Sequence, residues 1–449
     1  MPLDPALVLR LASELKARDR WSRARLLAYQ SQALNHTLRH AVANSTYYRE
    51  TIGTLVARQA PLDELPILTK SKLMAEFDRI LTDNRLHLGD IERHLAGPQS
   101  GDLLLSQYLA CATGGTSGER AILVYDQPAW ALAAASYIRF LRATGVTPET
   151  RFLGIGSPSP FHISNRMFSE LQESRPATPR LSVTTPLPEV VATLNAFQPE
   201  VLITYPSFMR RLIEEQADGR LRIAPRLVGS VAETLQQDVR DLVQRTWGIG
   251  VFDGFGTTET GTRGLECEYL AGIHLPEDLI VYEVVDQANR KVAPGVSGNK
   301  ILITTLTNKV FPLIRYELSD IVSLAEGICP CGRPYARIAS IEGRREEVLK
   351  LPTRGGGYVD VHAGRLRSPL VRIPGIRQFQ VAHHPFGLDV KISIREDGHK
   401  DELLTLVQQE IRSVLLQAGA DVPDIRVQLV DTIERVGAGA KEKLVTRPV

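Results

Sequence analysis

The chain has 449 residues, more than one ordinary hydrophobic core accommodates, so two or three domains are expected. With 43% hydrophobic and 23% charged residues and a formal net charge of +2, its composition is that of a globular protein in water and argues against a nucleic-acid or membrane surface; the partner expected is a small molecule or another protein. No apolar run is long enough to cross a bilayer, and residues 1–5 carry neither a basic leader nor an apolar signal core, which predicts a cytoplasmic protein.

The first hundred residues read mainly as helix, with Leu26, Leu27, Ala33, Leu34, Leu38, Ala41 and Val42 at helical spacing. Asn44-Ser45-Thr46 breaks that pattern, Tyr47 and Tyr48 read as core aromatics, and a short helix begins near the capping-type Thr69 or Ser71. Next comes Thr113-Gly114-Gly115-Thr116-Ser117-Gly118. Residues without a Cβ let backbone N–H groups converge on an anion, and interleaved hydroxyls donate further bonds, so the segment reads as a phosphate loop; a plain turn between two strands is the even alternative. Onward to about residue 255, strand-like runs (121–124, 152–155, 201–204, 226–231) alternate with helical ones (129–143, 208–216, 235–246), which predicts α/β layers. Residues 280–326 read as a mostly antiparallel β region, and a terminal unit of about a hundred residues follows. That unit holds an alternating strand at Leu388, Val390, Ile392 and Ile394, an amphipathic helix at Leu403, Val407, Ile411, Val414 and Leu415, and a strand at Ile425, Val427 and Leu429. Arg354-Gly355-Gly356-Gly357 reads as a flexible loop.

Four cysteines do not make a disulfide framework. Cys267 precedes His274 by seven positions, and Cys329-Pro330-Cys331 is a tight pair bracketed by Gly327 and Gly332. Three thiolates and one imidazole form a tetrahedral zinc set with no position left for water, hence a structural one. The alternative is a chance pair of cysteines and a surface histidine.

Phe255-Gly256-Thr257-Thr258-Glu259-Thr260-Gly261 is a second glycine and hydroxyl segment, now with a carboxylate. Phe255 has the shape to lie on a purine, Thr258 to bond a phosphoryl oxygen and Glu259 to hold Mg²⁺ through a hard oxygen. Asp320, in Arg315-Tyr316-Glu317-Leu318-Ser319-Asp320, is able to accept two hydrogen bonds from ribose hydroxyls. Each segment taken alone also reads as an ordinary loop.

In order and spacing, these segments resemble the AMP-forming adenylation superfamily of acyl-CoA synthetases, carrier-protein adenylation domains and luciferases, and within it the phenylacetate-CoA ligase-like branch. The resemblance covers nearly the whole chain, through Tyr47-Tyr48-Arg49, Leu65-Pro66, Gly115-Thr116-Ser117-Gly118, Val231-Ala232-Glu233, the 255–259 segment, Cys267-Glu268, Gly272-Ile273-His274, Ile314-Arg315-Tyr316, Cys329-Pro330-Cys331-Gly332-Arg333 and Gly343-Arg344. It implies an α/β fold with a large multi-layer N-terminal domain over 1–342, containing α/β sheets and a β-rich subdomain, and a small, mobile α+β lid over 343–449 hinged at Glu346. The implied activity is ATP-dependent: a carboxylic acid, by resemblance an aryl or arylacetic acid, is converted with MgATP to acyl-AMP and pyrophosphate, then passed to the thiol of CoA or of a carrier-protein phosphopantetheine. A homodimer is among the assemblies allowed.

Residue by residue, Gly115, Thr116, Ser117 and Gly118 resemble the loop that closes on the β and γ phosphates, and Ala232, Glu233, Phe255, Gly256 and Thr257 resemble further nucleotide contacts. Asp320 and Arg344 resemble the ribose ligands; Thr258 and Glu259 resemble the phosphate and Mg²⁺ contacts. Lys441, in Ala440-Lys441-Glu442-Lys443, resembles the catalytic lysine, with Lys443 the runner-up. The acid pocket maps to Phe161, His162, Tyr205, Val231 and Gly254, with Arg166 beside it. Departures stand out too: Glu119-Arg120 replaces the usual Lys-Pro, Ala440 replaces a glycine, and residues 351–358 diverge on the side facing the thiol. A phosphate-loop NTPase would need G-x-x-x-x-G-K-[ST], which no segment supplies. A zinc-stabilised interaction protein without catalysis is the remaining alternative.

Overall fold

The computed structural model describes residues 3–97, 102–113, 120–173, 178–370, 373, 375–384, 387–394, 400–421, 424–435, 440–441 and 445–446. The chain is a mixed α/β protein that divides into two compact units: Met1–Leu318 with Ser323–Ser340 and Gly437–Ala440, and Ser319–Val322 with Ile341–Val436 and Lys441–Val449.

At the heart of the first unit is a five-stranded parallel sheet, in the spatial order Leu181–Ser182, Phe152–Gly156, Val201–Thr204, Leu227–Ser230, Val251–Phe252. Every residue of the three middle strands is buried, which explains why these runs are continuously apolar or small rather than alternating. The intervening helices have local start and stop signals. Asp126 accepts the Ala129 N–H at 2.7 Å and so caps Gln127–Ala143, while Gly248, at φ 71°, ends Gln237–Trp247. Ser45 ends one helix, Arg23–Asn44, and caps the next, Thr46–Ala57, and Thr69 caps Lys70–Ala75 as its hydroxyl type predicts. Helices Ile163–Glu173 and Leu187–Phe197 escape the sequence reading because hydroxyl- and proline-rich segments lead into both.

The β region is antiparallel: Ile280–Val285 pairs with Lys300–Thr305, which pairs with Tyr316–Leu318, and Gly254–Gly256 pairs with Arg263–Leu265. Several motif residues turn out to be joints of this unit. Tyr48 is buried against Tyr47, and its hydroxyl donates to Pro312 O at 2.8 Å. Arg315, at φ 46°, donates to Leu65 O and pairs with Glu283 at 3.2 Å, tying the Leu65-Pro66 segment to the sheet.

The second unit holds the sheet Asp424–Leu429, Gly387–Ile394, Ile376–His384, Val445–Thr446, with helix Lys400–Gln417 connecting the parallel strands Gly387–Ile394 and Asp424–Leu429. Leu403, Val407, Ile411 and Leu415 pack against Val381, Leu388, Val390, Ile392 and Ile425 as its core. The glycines at 355–357, read above as a flexible loop, instead close the hairpin Leu349–Pro352/Tyr358–Val361. Gly356 N–H donates to Thr353 O at 3.0 Å, and Gly356 and Gly357 adopt φ of 83° and 90°. Among the described residues, no helix is long and apolar enough to cross a membrane.

Candidate functional site

The parallel strands all run the same way, so their carboxyl ends share one edge. The strand Phe152–Gly156 has its successor Leu181–Ser182 on one side and the next, Val201–Thr204, on the other. Such a reversal of strand order opens a crevice at the carboxyl edge, the usual place for a ligand in this architecture. The sequence candidates follow these ends directly. Phe161 and His162 come after the first strand, Tyr205 after the next, Val231, Ala232 and Glu233 after Leu227–Ser230, and Gly254 and Phe255 after Val251–Phe252.

The edge is tightly wound. Glu233 N–H donates to Val231 O at 2.8 Å across a three-residue turn whose centre, Ala232, is held at φ 69°. An alanine in this region costs energy, and such strain concentrates at sites that use it. The Glu233 carboxylate accepts Ser207 N–H at 3.1 Å and thereby satisfies an orphan donor of helix Pro206–Ala217. His162 lies just ahead of helix Ile163–Glu173, where its Nδ1 is 2.9 Å from Ser164 Oγ. Tyr205 is fully buried.

The 255–261 segment forms a turn closed by reciprocal bonds: Thr257 N–H to Thr260 Oγ1 and Thr260 N–H to Thr257 Oγ1, both at 3.3 Å. Gly261 takes φ 68°, and a Cβ there would press on the Tyr125 ring. Tyr125 donates its hydroxyl to Thr258 O, and Tyr316 Oη donates to Glu259 Oε1 at 3.3 Å. Phe255, Thr258 and Glu259 are buried. Residues distant in sequence therefore set the orientation of one turn.

Gly115, Thr116, Ser117, Gly118 and Glu119 lie outside the described residues, as does Lys443. The base of the glycine loop is described. Thr113 N–H donates to Ala121 O and Ala121 N–H to Thr113 Oγ1, both at 2.9 Å, extending the hairpin Tyr108–Ala112/Ile122–Asp126. The Arg120 guanidinium stands 4.3 Å from the centre of the Phe161 ring, so the charge beside the loop rests on an acid-pocket candidate. In the second unit, Arg344 Nε is 3.6 Å from Asp320 Oδ1, and Glu346 sits in the single turn Arg345–Glu347. Lys441 follows Ala440, which is held at φ 47°.

The chain is similar over 410 residues to a phenylacetate-coenzyme A ligase of Escherichia coli (strain K12), at 28% identity covering 86% of this chain and 85% of the relative. A second phenylacetate-coenzyme A ligase, from Thermus thermophilus, is 30% identical over 220 residues, 47% of this chain and 46% of the relative, so that match spans about half of each. Among solved structures, 2-hydroxyisobutyryl-CoA ligase in the postadenylation state in complex with R3-HIB-AMP shares the fold, with a TM-score of 0.74 over 96% of this chain and 91% of that one at 18% identity. No family model matches. The chain belongs to the AMP-forming adenylate ligase superfamily.

Away from the edge, the ligase brings Cys267, His274, Cys329 and Cys331 together, with all four ligand atoms within 4.8 Å of one another. Cys267 Sγ is 3.5 Å from Cys329 Sγ, and Cys331 Sγ is 3.4 Å from His274 Nε2. A zinc tetrahedron with metal–sulfur bonds of about 2.3 Å has edges of about 3.8 Å, so this donor set fits such an ion with slight expansion. Gly332 N–H donates to Cys329 O at 2.9 Å and folds the Cys329-Pro330-Cys331 turn, while Ile273–His274 is a short strand against Arg337 and Ile338. Burial, with Arg333 and Arg337 nearby, holds the His274 imidazole down at about 4, so at neutral pH it is the neutral ligand form. The cluster could hold a metal ion, and its four protein ligands leave it no open position. Cys111 is elsewhere, buried in the hairpin, where burial pushes its thiol up to about 11.

Two residues of the ligase's edge escape the sequence reading. Tyr125 ends an apolar run and reads as core. Arg263 follows a glycine and hydroxyl segment and reads as loop, yet it is 7% exposed, and its Nη2 donates to Ser230 O at 2.5 Å.

Proposed function

We propose that the ligase joins a carboxylic acid to the thiol of CoA through an acyl adenylate. The observation that carries this reading is the gathering of the 157–162, 205, 231–233 and 253–259 segments at one edge of the parallel sheet, in a chain similar over most of its length to phenylacetate-coenzyme A ligases. In the first step a carboxylate oxygen of the acid attacks the α-phosphorus of ATP and pyrophosphate leaves. In the second, a thiol attacks the acyl carbon, the acyl–phosphate bond breaks, and AMP leaves.

In this reading Phe255 stacks on adenine, Gly256 and Thr257 approach the nucleotide, and Ala232 and Glu233 form the turn beneath it, Glu233 by anchoring that turn to the neighbouring helix. Thr258 binds a phosphoryl oxygen, and Glu259, oriented by Tyr316, offers the hard oxygen that Mg²⁺ takes. The 115–118 loop covers the phosphates, and Asp320 and Arg344 take the ribose. Lys441 stabilises charge building on the carboxylate and α-phosphate oxygens. Phe161, His162, Tyr205, Val231 and Gly254 surround the acid; the aromatic pair Phe161 and Tyr205 suits an aryl or arylacetic acid. The N-terminal domain, 1–342, and the C-terminal domain, 343–449, reorient about Glu346 between the steps. The Cys–His cluster holds structural zinc.

The test is carboxylate-dependent exchange of labelled pyrophosphate into ATP across a panel of acids. Lys441→Ala should cut it by roughly 10²–10³-fold, the scale for removing one preorganised charge donor. No exchange with any acid would overturn the reading, and thioester formation with CoA against a carrier-protein phosphopantetheine identifies the acceptor.

A further inference from the structure

Tyr125 reads from the sequence as a core residue, yet it is held more firmly than packing requires, and it reaches into the 255–261 turn. It lies in strand Ile122–Asp126, which follows the 115–118 segment in the chain and pairs with Tyr108–Ala112. Its backbone is fixed on every side. Leu109 stands opposite it in the hairpin, Asn308 Nδ2 donates to the carbonyl of its neighbour Val124 at 2.7 Å, and the next residue, Asp126, caps helix Gln127–Ala143. The ring is fixed as well. It is buried, the Trp130 ring centre is 5.7 Å away, and Trp130 donates its own Nε1–H to Glu170 Oε1 at 3.2 Å.

From this base Tyr125 meets the turn at two points. Its hydroxyl donates to Thr258 O, and its ring takes the space in which a Cβ at Gly261 would lie, 2.9 Å from Cε1. Thr258 is buried, so its carbonyl depends on a donor from within the protein. Burial pushes the Tyr125 hydroxyl well above its usual pKa, and Cys111 and the Glu259 carboxylate act in the same sense, so the proton that makes this bond stays in place. Tyr316 meets the Glu259 carboxylate, whereas Tyr125 meets the backbone that carries Thr258 and Glu259 together.

We propose that Tyr125 is a positioning residue for adenylate formation, which fixes the Thr258-Glu259 turn in the orientation that presents both residues to the phosphates of MgATP. The assignment rests on the reading of Thr258 and Glu259 as the phosphate and Mg²⁺ contacts. It makes the hairpin that carries the 115–118 segment the support of the 255–261 turn as well, so the two segments read as phosphate contacts are held from one base. Such support matters to the rate, because displacing a reacting group by about 1 Å costs on the order of 10²-fold.

Tyr125→Phe tests the assignment, since it removes the hydroxyl and keeps the ring. In pyrophosphate exchange the variant should lose about tenfold or more in kcat/KM for MgATP, while KM for the acid stays within about twofold of the wild type. Calorimetric titration should show weaker binding of MgATP, and melting temperatures on the same samples separate this from a loss of fold. Unchanged kinetics, unchanged MgATP affinity, or a loss that falls equally on MgATP and on the acid overturns the inference while leaving the adenylating reading intact. A lowered melting temperature with kcat/KM for MgATP unchanged would make Tyr125 part of the scaffold alone and also overturn it. No exchange by the wild type with any acid overturns both.

Discussion

The stretch from Asp253 to His274 builds two regions that treat buried charge differently. Around the Cys–His cluster, charges are matched: Arg333 stands between Asp19 and Glu268, and Arg240 grips both oxygens of Glu266, the neighbour of Cys267. At the carboxyl edge, Ala232 and Gly261 take positive φ, the Asp253 carboxyl is pushed up to about 6, chiefly by burial, and burial pulls the Arg263 guanidinium below its usual value although Tyr137 and Asp253 act the other way. A region whose charges are matched in ion pairs is a support; one that stores backbone strain and buried, shifted titratable groups has the character of a functional site. Mutations should therefore separate the two, one set acting on stability and the other on chemistry.

The largest effect is expected at the cluster. Cys331→Ser should lose bound metal and lower stability on the order of several kcal/mol, because the free energy of a structural metal is folding free energy; elemental analysis together with melting temperature measures both, and full metal content with an unchanged melting temperature would contradict the structural role. Glu259→Gln should do the reverse, reducing pyrophosphate exchange by roughly 10²–10³-fold with little change in melting temperature. A matching loss of stability would mean that Glu259 belongs to the scaffold.

Asp253→Asn sharpens the comparison through pH. The folded-state pKa of Asp253 lies above the ordinary carboxylate value, so folding favours its protonated form. Its contribution is fully present below pH about 4 and is lost as pH rises through about 6. Replacing it with neutral asparagine should therefore stabilise the protein by about 1–3 kcal/mol at pH 7 to 8 and by little at pH 4. Denaturant titrations at the two pH values measure the difference, and an equal effect at both would exclude this origin.

The smallest effect is expected at Ala440, next to Lys441. Its φ of 47° is unfavourable for a residue with a Cβ. Ala440→Gly should gain roughly 0.5–1 kcal/mol after the extra freedom of glycine in the unfolded chain is counted. A shift in denaturant midpoint without a change in slope is the expected readout; destabilisation would mean that the alanine methyl makes a contact that outweighs the strain.

Much of this architecture is legible in the sequence, because buried parallel strands and amphipathic helices leave strong local patterns. The run Val201-Leu202-Ile203-Thr204 is a strand to the residue, and of the five apolar positions named on helix Lys400–Gln417, four are buried in the core and Val414 is partly buried against it. The Cys–His set is legible for another reason: few residue types bind zinc, and the turn at Cys329-Pro330-Cys331 is local. Helix Ile163–Glu173 is not, since its polar sequence takes meaning only from the sheet beneath it. Nor is the order at Gly355-Gly356-Gly357, where glycine signals permissive φ angles but not whether a hairpin will fix them.

The sequence by itself determined the α/β layering, the four residues of the Cys–His cluster and the order of the segments now found at one edge, since each rests on residue type and near-neighbour spacing. Only the tertiary structure decided that Glu233 caps a helix, that Tyr125 and Tyr316, far apart in the sequence, hold the Thr258-Glu259 turn, and that Arg263 is buried against Gly254. Burial and the presence of a partner depend on what the rest of the fold brings within a few ångströms, and no local pattern encodes that.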